Sequence, residues 1–288
     1  MGGGDSHPAR LYPVDLGPPQ GAVGGLSGDE CRWLNRLPDQ WLGQQGPAVG
    51  GAQSDLDGHR SICIMEDAQD RLIDLSHEIE HGMVTFRGLP APVICDYWER
   101  KASGSHYDDG STFQIGRIDM VANTGTYIDS PFHRFAEGKD LAGLDLSQLA
   151  ELDGVVAHQP FEHGLAVDTN AFAGLDVSGK AVLVHTGWDR FWRTEPYFEN
   201  HPFLTEAAAR LLVDRGAVLV GIDSYNIDDT RTRSRPIHTT LLGADIPIVE
   251  HMTNLGALPD NNFRFCAVPP KVKGFGTFPV RAFAVFAG

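Results

Sequence analysis

Ala181-Val-Leu-Val-His185, Leu204-Thr-Glu-Ala-Ala-Ala-Arg-Leu-Leu-Val-Asp-Arg-Gly216 and Ala217-Val-Leu-Val-Gly-Ile222 follow one another and decide the fold. The first and third runs are continuous apolar, β-branched segments, the pattern of strands buried on both faces. In the second, Thr205 is placed to cap a helix, Glu206 favours the positive end of its dipole, and Gly216 suits a left-handed residue just past its end. Strand, helix and strand in that order predict parallel strands joined by a right-handed crossover. Outward from this unit, Gly154-Val-Val-Ala-His158 and Leu72-Ile73-Asp74-Leu75 read as further strands. Val280-Arg-Ala-Phe-Ala-Val-Phe286 alternates like a half-covered strand, and Ser147-Gln-Leu-Ala-Glu-Leu-Asp-Gly154 predicts a short helix. One α/β domain over residues 69–288 follows.

Residues 1–68 have a different texture. Gly-Pro-Pro-Gln-Gly-Ala, Gly24-Gly25 and Gly50-Gly51 punctuate them, so an extension, largely coil, is expected, with one short helix near 28–37. The whole chain has 288 residues, with 23 basic against 38 acidic side chains, for a net charge of −15. That balance argues against a nucleic-acid partner or an anionic membrane surface, either of which needs a basic face. Four scattered cysteines form no CxxC pair and imply no disulfide framework. No charged-then-apolar leader opens the sequence and no apolar run is long enough to span a bilayer, so a cytoplasmic protein is expected. Twelve histidines against four cysteines direct a metal search toward imidazoles.

The segment richest in chemistry is Asn123-Thr-Gly-Thr-Tyr-Ile-Asp-Ser-Pro-Phe-His133. Gly125 permits a turn, Pro131 stiffens the loop, and Asp129 and His133 are ligand types that can converge on one cation. Arg235-Pro-Ile-His238 and the later Glu250 add a second such pair. Taken singly, each of these is a weak signal, since a lone histidine is more often a hydrogen-bonded or surface residue than a ligand.

These segments together resemble the cyclase family, which includes bacterial kynurenine formamidase, isatin hydrolase and related amidohydrolases and has the signature HxGTHxDxPxH. Further matches are Asp74-Leu-Ser-His77, Thr186-Gly-Trp188, Gly221-Ile-Asp223, His238-Thr-Thr-Leu-Leu242, Glu250-His-Met-Thr-Asn-Leu255 and Pro279-Val-Arg-Ala-Phe283. The resemblance implies a swivelling β/β/α-type single domain around a mixed sheet, assembled as a homodimer or homotetramer and acting on a small-molecule substrate. It departs at two places: Asn123 and Tyr127 stand where the signature has histidines. Of the ligands that the resemblance implies, Asp129, His133, His238 and Glu250 are kept, a set suited to one zinc or manganese ion.

Two chemistries are open to these residues. With a metal, bound water attacks an amide, imide or lactone carbonyl while Tyr127 and Asn123 donate hydrogen bonds to the substrate oxygen. Without one, His133 or His238 is the general base, oriented by Asp129 or Glu250, with Tyr127 as acid, which suits a biosynthetic cyclisation or dehydration. An inactive binding protein on the same fold is a third reading.

Phe132, Trp188, Phe86 and Trp98 are candidates to line an aromatic substrate pocket, with the core as their alternative place. Arg134 and Arg235 are candidates for a substrate carboxylate or for ion pairs with the acidic surface. His77 and His81 read as strand-edge surface residues, and His185 as a core histidine or one approaching the site. Asp228-Asp229 reads as a solvated turn. There is no GxSxG elbow, Walker loop or HExxH in the sequence.

Overall fold

The computed structural model describes residues 72–286. The expected extension over 1–68 and its helix near 28–37 lie outside the described residues. Nine strands form one mixed sheet: β1 (Leu72–Asp74), β2 (Tyr127–Asp129), β3 (Leu152–His158), β4 (Ala181–His185), β5 (Leu219–Ile222), β6 (Ile248–Glu250), β7 (Asn261–Cys266), β8 (Thr277–Pro279) and β9 (Phe283–Phe286). Their spatial order is β1-β9-β7-β3-β4-β5-β6-β2-β8. Neighbours from β3 to β6 are parallel, and the remaining pairs are antiparallel. Two α-helices pack on one face of this sheet: α1 (Glu206–Asp214) and α2 (Pro236–Gly243).

The deciding stretch folds as its pattern predicts. β4 and β5 pair in parallel with Leu183 opposite Gly221, and α1 lies between them in the chain. Thr205 accepts a hydrogen bond from the Ala208 amide at 3.2 Å, and Gly216 ends the segment at φ 76°. Ala208, Ala209 and Leu212 are the buried stripe of α1. Full burial of one leucine side chain contributes about 2 kcal/mol.

Strand residues alternate between two apolar layers. Val156, Ala181, Leu183 and Leu219 join a layer that also takes in Phe263, Phe265 and Ala284 of β7 and β9. Val155, Ala157, Val182, Val184, Val220 and Ile222 face the other way, onto Leu212 of α1 and Ile237 and Leu241 of α2. Ile128 and Val249 belong to the first layer and Ile248 to the second. By strand alternation, Tyr127, Asp129 and Glu250 therefore face the helix side.

Two expectations fail locally. The helix expected over 147–154 is a single 3-10 turn at Leu146–Gln148, because Glu151 takes a left-handed φ of 55° and β3 begins at Leu152. The predicted turn at Asp228 is not solvated: Asp228 is fully buried.

Gly154 sits opposite Phe263 in the β3–β7 pairing, and a Cβ at this position would collide with the Phe263 ring. Gly154→Ala is expected to lower unfolding free energy by roughly 1–3 kcal/mol through overpacking. A denaturant midpoint equal to that of the parent would contradict this.

Candidate active site

Three strands and one helix build the site. Glu250 of β6 is the register partner of Tyr127 on β2, and Thr277 of β8 is the partner of Asp129. The sheet thus places two polar cross-strand pairs on its helix side. The Tyr127 hydroxyl donates to Glu250 Oε2 at 2.7 Å, and the Ile227 amide donates to Oε1 at 2.6 Å. The Thr277 hydroxyl donates to Asp129 Oδ1 and accepts from His133 Nδ1 at 2.8 Å. His133 ends a 3-10 turn opened by Pro131, which fixes the turn's first φ.

His238 comes from the first turn of α2. The Asp228 carboxylate accepts the Ile237 amide at 2.8 Å and the His238 amide at 3.1 Å, so it satisfies helix-end donors that would otherwise lack partners. It also accepts from His238 Nδ1 at 2.6 Å, which leaves Nε2 toward Asp129 Oδ2 at 3.5 Å and Glu250 Oε1 at 3.7 Å. One buried acid therefore starts the helix and sets the rotation of the imidazole.

Electrostatics follow from burial. Desolvation works against charge on His238, but Glu250, Asp129 and Asp228 together override it and hold its pKa up to about 10. Burial pushes Asp129 up, yet His133 and His238 bring it below the usual carboxylate range. Burial raises the Glu250 carboxyl and, with Glu250 beside it, holds the Tyr127 phenol far above its ordinary value, so the phenol keeps its proton. His251, fully buried next in sequence, is depressed to about 3 by desolvation and stays neutral, hydrogen-bonded to the Tyr197 hydroxyl at 2.9 Å.

Asp129, His133 and His238 each offer a ligand atom within 4.8 Å of the other two. Asp129 Oδ2 is buried and has no hydrogen-bond partner among the described residues. An orphaned carboxylate oxygen is costly, and a cation bridging it to two imidazoles satisfies it. The residues fit a borderline divalent ion such as zinc or manganese. Glu250 stands beside this trio, not within it, with both oxygens already accepting hydrogen bonds.

A cavity of about 270 Å³ opens onto the cluster, lined by Asn123, Tyr127, His133, His238 and Glu250, and also by Phe86, Leu89, Asn226 and two arginines. Three expected lining residues are elsewhere. Trp188 is buried in an aromatic cluster with Tyr197 and Tyr225, its indole donating to the Tyr197 carbonyl at 3.0 Å. Phe132 borders a neighbouring depression beside Phe275 and Thr277. Trp98 is on an outlying hairpin of Val93–Trp98 and Ile115–Asp119, stacked on His106. His185 meets His158 at 3.0 Å, Nδ1 to Nδ1, away from the site, and His77 is half-buried against Trp192. Thr186 and Gly187 cradle the buried Asp223 carboxylate through their amides and the Thr186 hydroxyl, which gives these matched residues a structural role. Asp228, Asn226 and Thr277 belong to no motif that marks them as site residues in the sequence. Asp228 lies too far ahead of Pro236, which opens the helix behind Arg235, for its sequence position to mark it as a cap.

A mixed α/β sheet thus carries a buried acid–imidazole cluster at an open cavity, the architecture of an α/β enzyme. The family described as "Putative cyclase" matches residues 73–229, and the chain belongs to that family. Kynurenine formamidase from Geobacillus thermodenitrificans (strain NG80-2) is 29% identical over 213 residues, covering 73% of this chain and 95% of the relative. The enzyme of that name from Erythrobacter litoralis (strain HTCC2594) is 28% identical over 213 residues, 71% and 89% of the two chains. A solved structure named as a potential metal-dependent hydrolase with cyclase activity superposes with a TM-score of 0.62 at 25% identity, over 76% of this chain and 98% of its own. Isatin hydrolase A from Labrenzia aggregata shares the fold, with a TM-score of 0.65 at 20% identity over 76% and 94% of the chains. The chain is a hydrolase of this family. No helix among the described residues is long and apolar enough to cross a membrane.

Asp228→Ala removes the acceptor for three donors, the Ile237 and His238 amides and the His238 ring. Leaving such groups buried and unpaired is expected to cost roughly 2–4 kcal/mol of stability. Chemical denaturation measures it, and a loss below about 0.5 kcal/mol would show that the helix start finds other acceptors.

Proposed function

We propose that the enzyme hydrolyses an amide, imide or lactone bond of a small molecule, with Asp129, His133 and His238 holding one divalent metal. The observation behind this reading is the proximity of those three groups, with Asp129 Oδ2 lacking a hydrogen-bond partner and facing His238 Nε2, on a cavity whose wall also offers the Tyr127 hydroxyl and Asn123. A bound metal would supply Lewis-acid polarisation and a water of lowered pKa. The other roles belong to the chain itself. Asp228 and Thr277 fix the two imidazole rings through hydrogen bonds to Nδ1. The Tyr127 hydroxyl donates its hydrogen bond to Glu250 Oε2 in the free site; once Oε2 is protonated and donates back to the phenol oxygen, the phenol proton is freed to turn toward negative charge developing on the substrate oxygen, with the Asn123 amide in the same cavity wall. Glu250, raised by burial and bonded to Tyr127, can take and return a proton at Oε2. The Phe86 and Leu89 side chains exclude water from one side of the cavity.

A second reading, acid–base cyclisation or dehydration without metal, has one observation in its favour. The Asp228–His238 pair points its imidazole at Asp129 and Glu250, an arrangement that also suits a proton-transfer base. Proton and metal compete for the same imidazole, so metal content separates the two readings.

Protein prepared without chelators is expected to contain about one zinc or manganese per chain by elemental analysis, and His238→Ala to lose it more completely than Asn123→Ala. Metal near zero, with hydrolytic activity intact after chelation, would overturn the metal assignment. Tyr127→Phe is expected to lower kcat/KM by about 10²-fold on an aryl formamide while metal content stays at the parental level. Unchanged kinetics in that variant would remove the phenol from the oxyanion role.

A further inference from the structure

Arg134 and Arg235 both line the active-site cavity. Elsewhere among the described residues Arg87, Arg190, Arg210 and Arg264 hold carboxylates at 2.5–2.9 Å, whereas Arg100, Arg117, Arg215 and Arg233, which do not line this cavity, pair with none. The two cavity arginines have no carboxylate within salt-bridge distance among the described residues. Arg134 donates only its Nε, to the Thr239 hydroxyl at 3.1 Å, while Arg235 places Nη1 on the Thr232 and Ser234 carbonyls at 2.8 and 2.7 Å. These bonds steady both side chains against the start of α2 and leave guanidinium N–H groups unspent on each. A guanidinium presents a fork that matches a carboxylate, and two steadied forks at one cavity favour an anion strongly.

The chemistry of the cavity narrows the anion. A phosphate would call for backbone amides at the helix start, but Asp228 takes the Ile237 and His238 amides and the Arg235 carbonyl takes that of Thr239. The buried Asp129 and Glu250 disfavour a second negative charge. Phe86 and Leu89 add an apolar wall, and 270 Å³ sits at the small end of ligand cavities.

We propose that Arg134 and Arg235 form the recognition site for a substrate carboxylate, so that the substrate is a small monocarboxylate with an apolar or aromatic body. For the bond that is opened, this rests on the hydrolase reading; for binding, it stands independently.

The test uses matched probes: N-formylanthranilate with formanilide for turnover, and anthranilate with anthranilamide for binding by calorimetry. The parent is expected to favour the carboxylate of each pair, by about 10²-fold in kcat/KM and at least about tenfold in affinity. Both preferences should fall to near parity in the Arg134→Gln/Arg235→Gln double variant and be largely retained in the double lysine variant, which keeps the charge. Anthranilate bound through the arginines without cleavage of either formamide would remove the formamide as the bond that is opened and support the carboxylate site. Equal anthranilate affinity in the parent and the double glutamine variant, or no binding to the parent, would overturn the carboxylate site whether or not formanilide is cleaved.

Discussion

Three carboxylates, Asp129, Asp228 and Glu250, are buried around one imidazole, that of His238. Burying any one of them alone would cost several kcal/mol, so each must be compensated locally. Asp228 is compensated by the start of α2, Glu250 by Tyr127 and the Ile227 amide, and Asp129 by Thr277 on one oxygen only. The remaining Asp129 oxygen is where the compensation is incomplete; His238 Nε2 faces it at 3.5 Å, and His133 stands beside the carboxylate's other oxygen. The site is thus the place where the fold leaves buried charge for a ligand or proton to balance.

The sheet makes this arrangement possible. Parallel strands β3 to β6 supply an apolar platform covered on both sides, and the antiparallel additions β2 and β8 bring Tyr127, Asp129 and Thr277 beside Glu250 on the helix side. Register does the rest, because a shift of one residue would turn Tyr127 and Asp129 into the apolar layer that holds Ile128. Tyr127 fits this geometry, because its hydroxyl donates directly to Glu250 Oε2. Asn123 lines the same cavity with an amide.

Where sequence and structure part, the cause is shared. Asp228-Asp229 looks like a solvated turn because two adjacent acids in a polar stretch usually are one. Asp229 does pair with Arg231 at the surface, but Asp228 is turned inward by the helix start that needs it. Trp188 follows the matched Thr186-Gly187 and reads as a pocket residue, yet those two residues are committed to Asp223 and the indole points into an aromatic cluster. In both cases a local pattern is overridden by a contact nine or more residues away in the chain.

By itself, the sequence determined the α/β class, the β4–α1–β5 unit and the family, because periodicity, capping residues and an ordered series of short motifs are local properties. It also picked out Asp129, His133, His238 and Glu250 as candidate site residues. Tertiary structure alone decided how those four divide: three face one another, while Glu250 is tied to Tyr127 through strand register across 123 residues of chain. It likewise decided that Asp228 and Thr277 orient the imidazoles and that Arg134 and Arg235 share the cavity. The physical reason is that hydrogen-bond partners of buried charge are chosen by proximity in the folded chain, which spacing along the sequence does not encode.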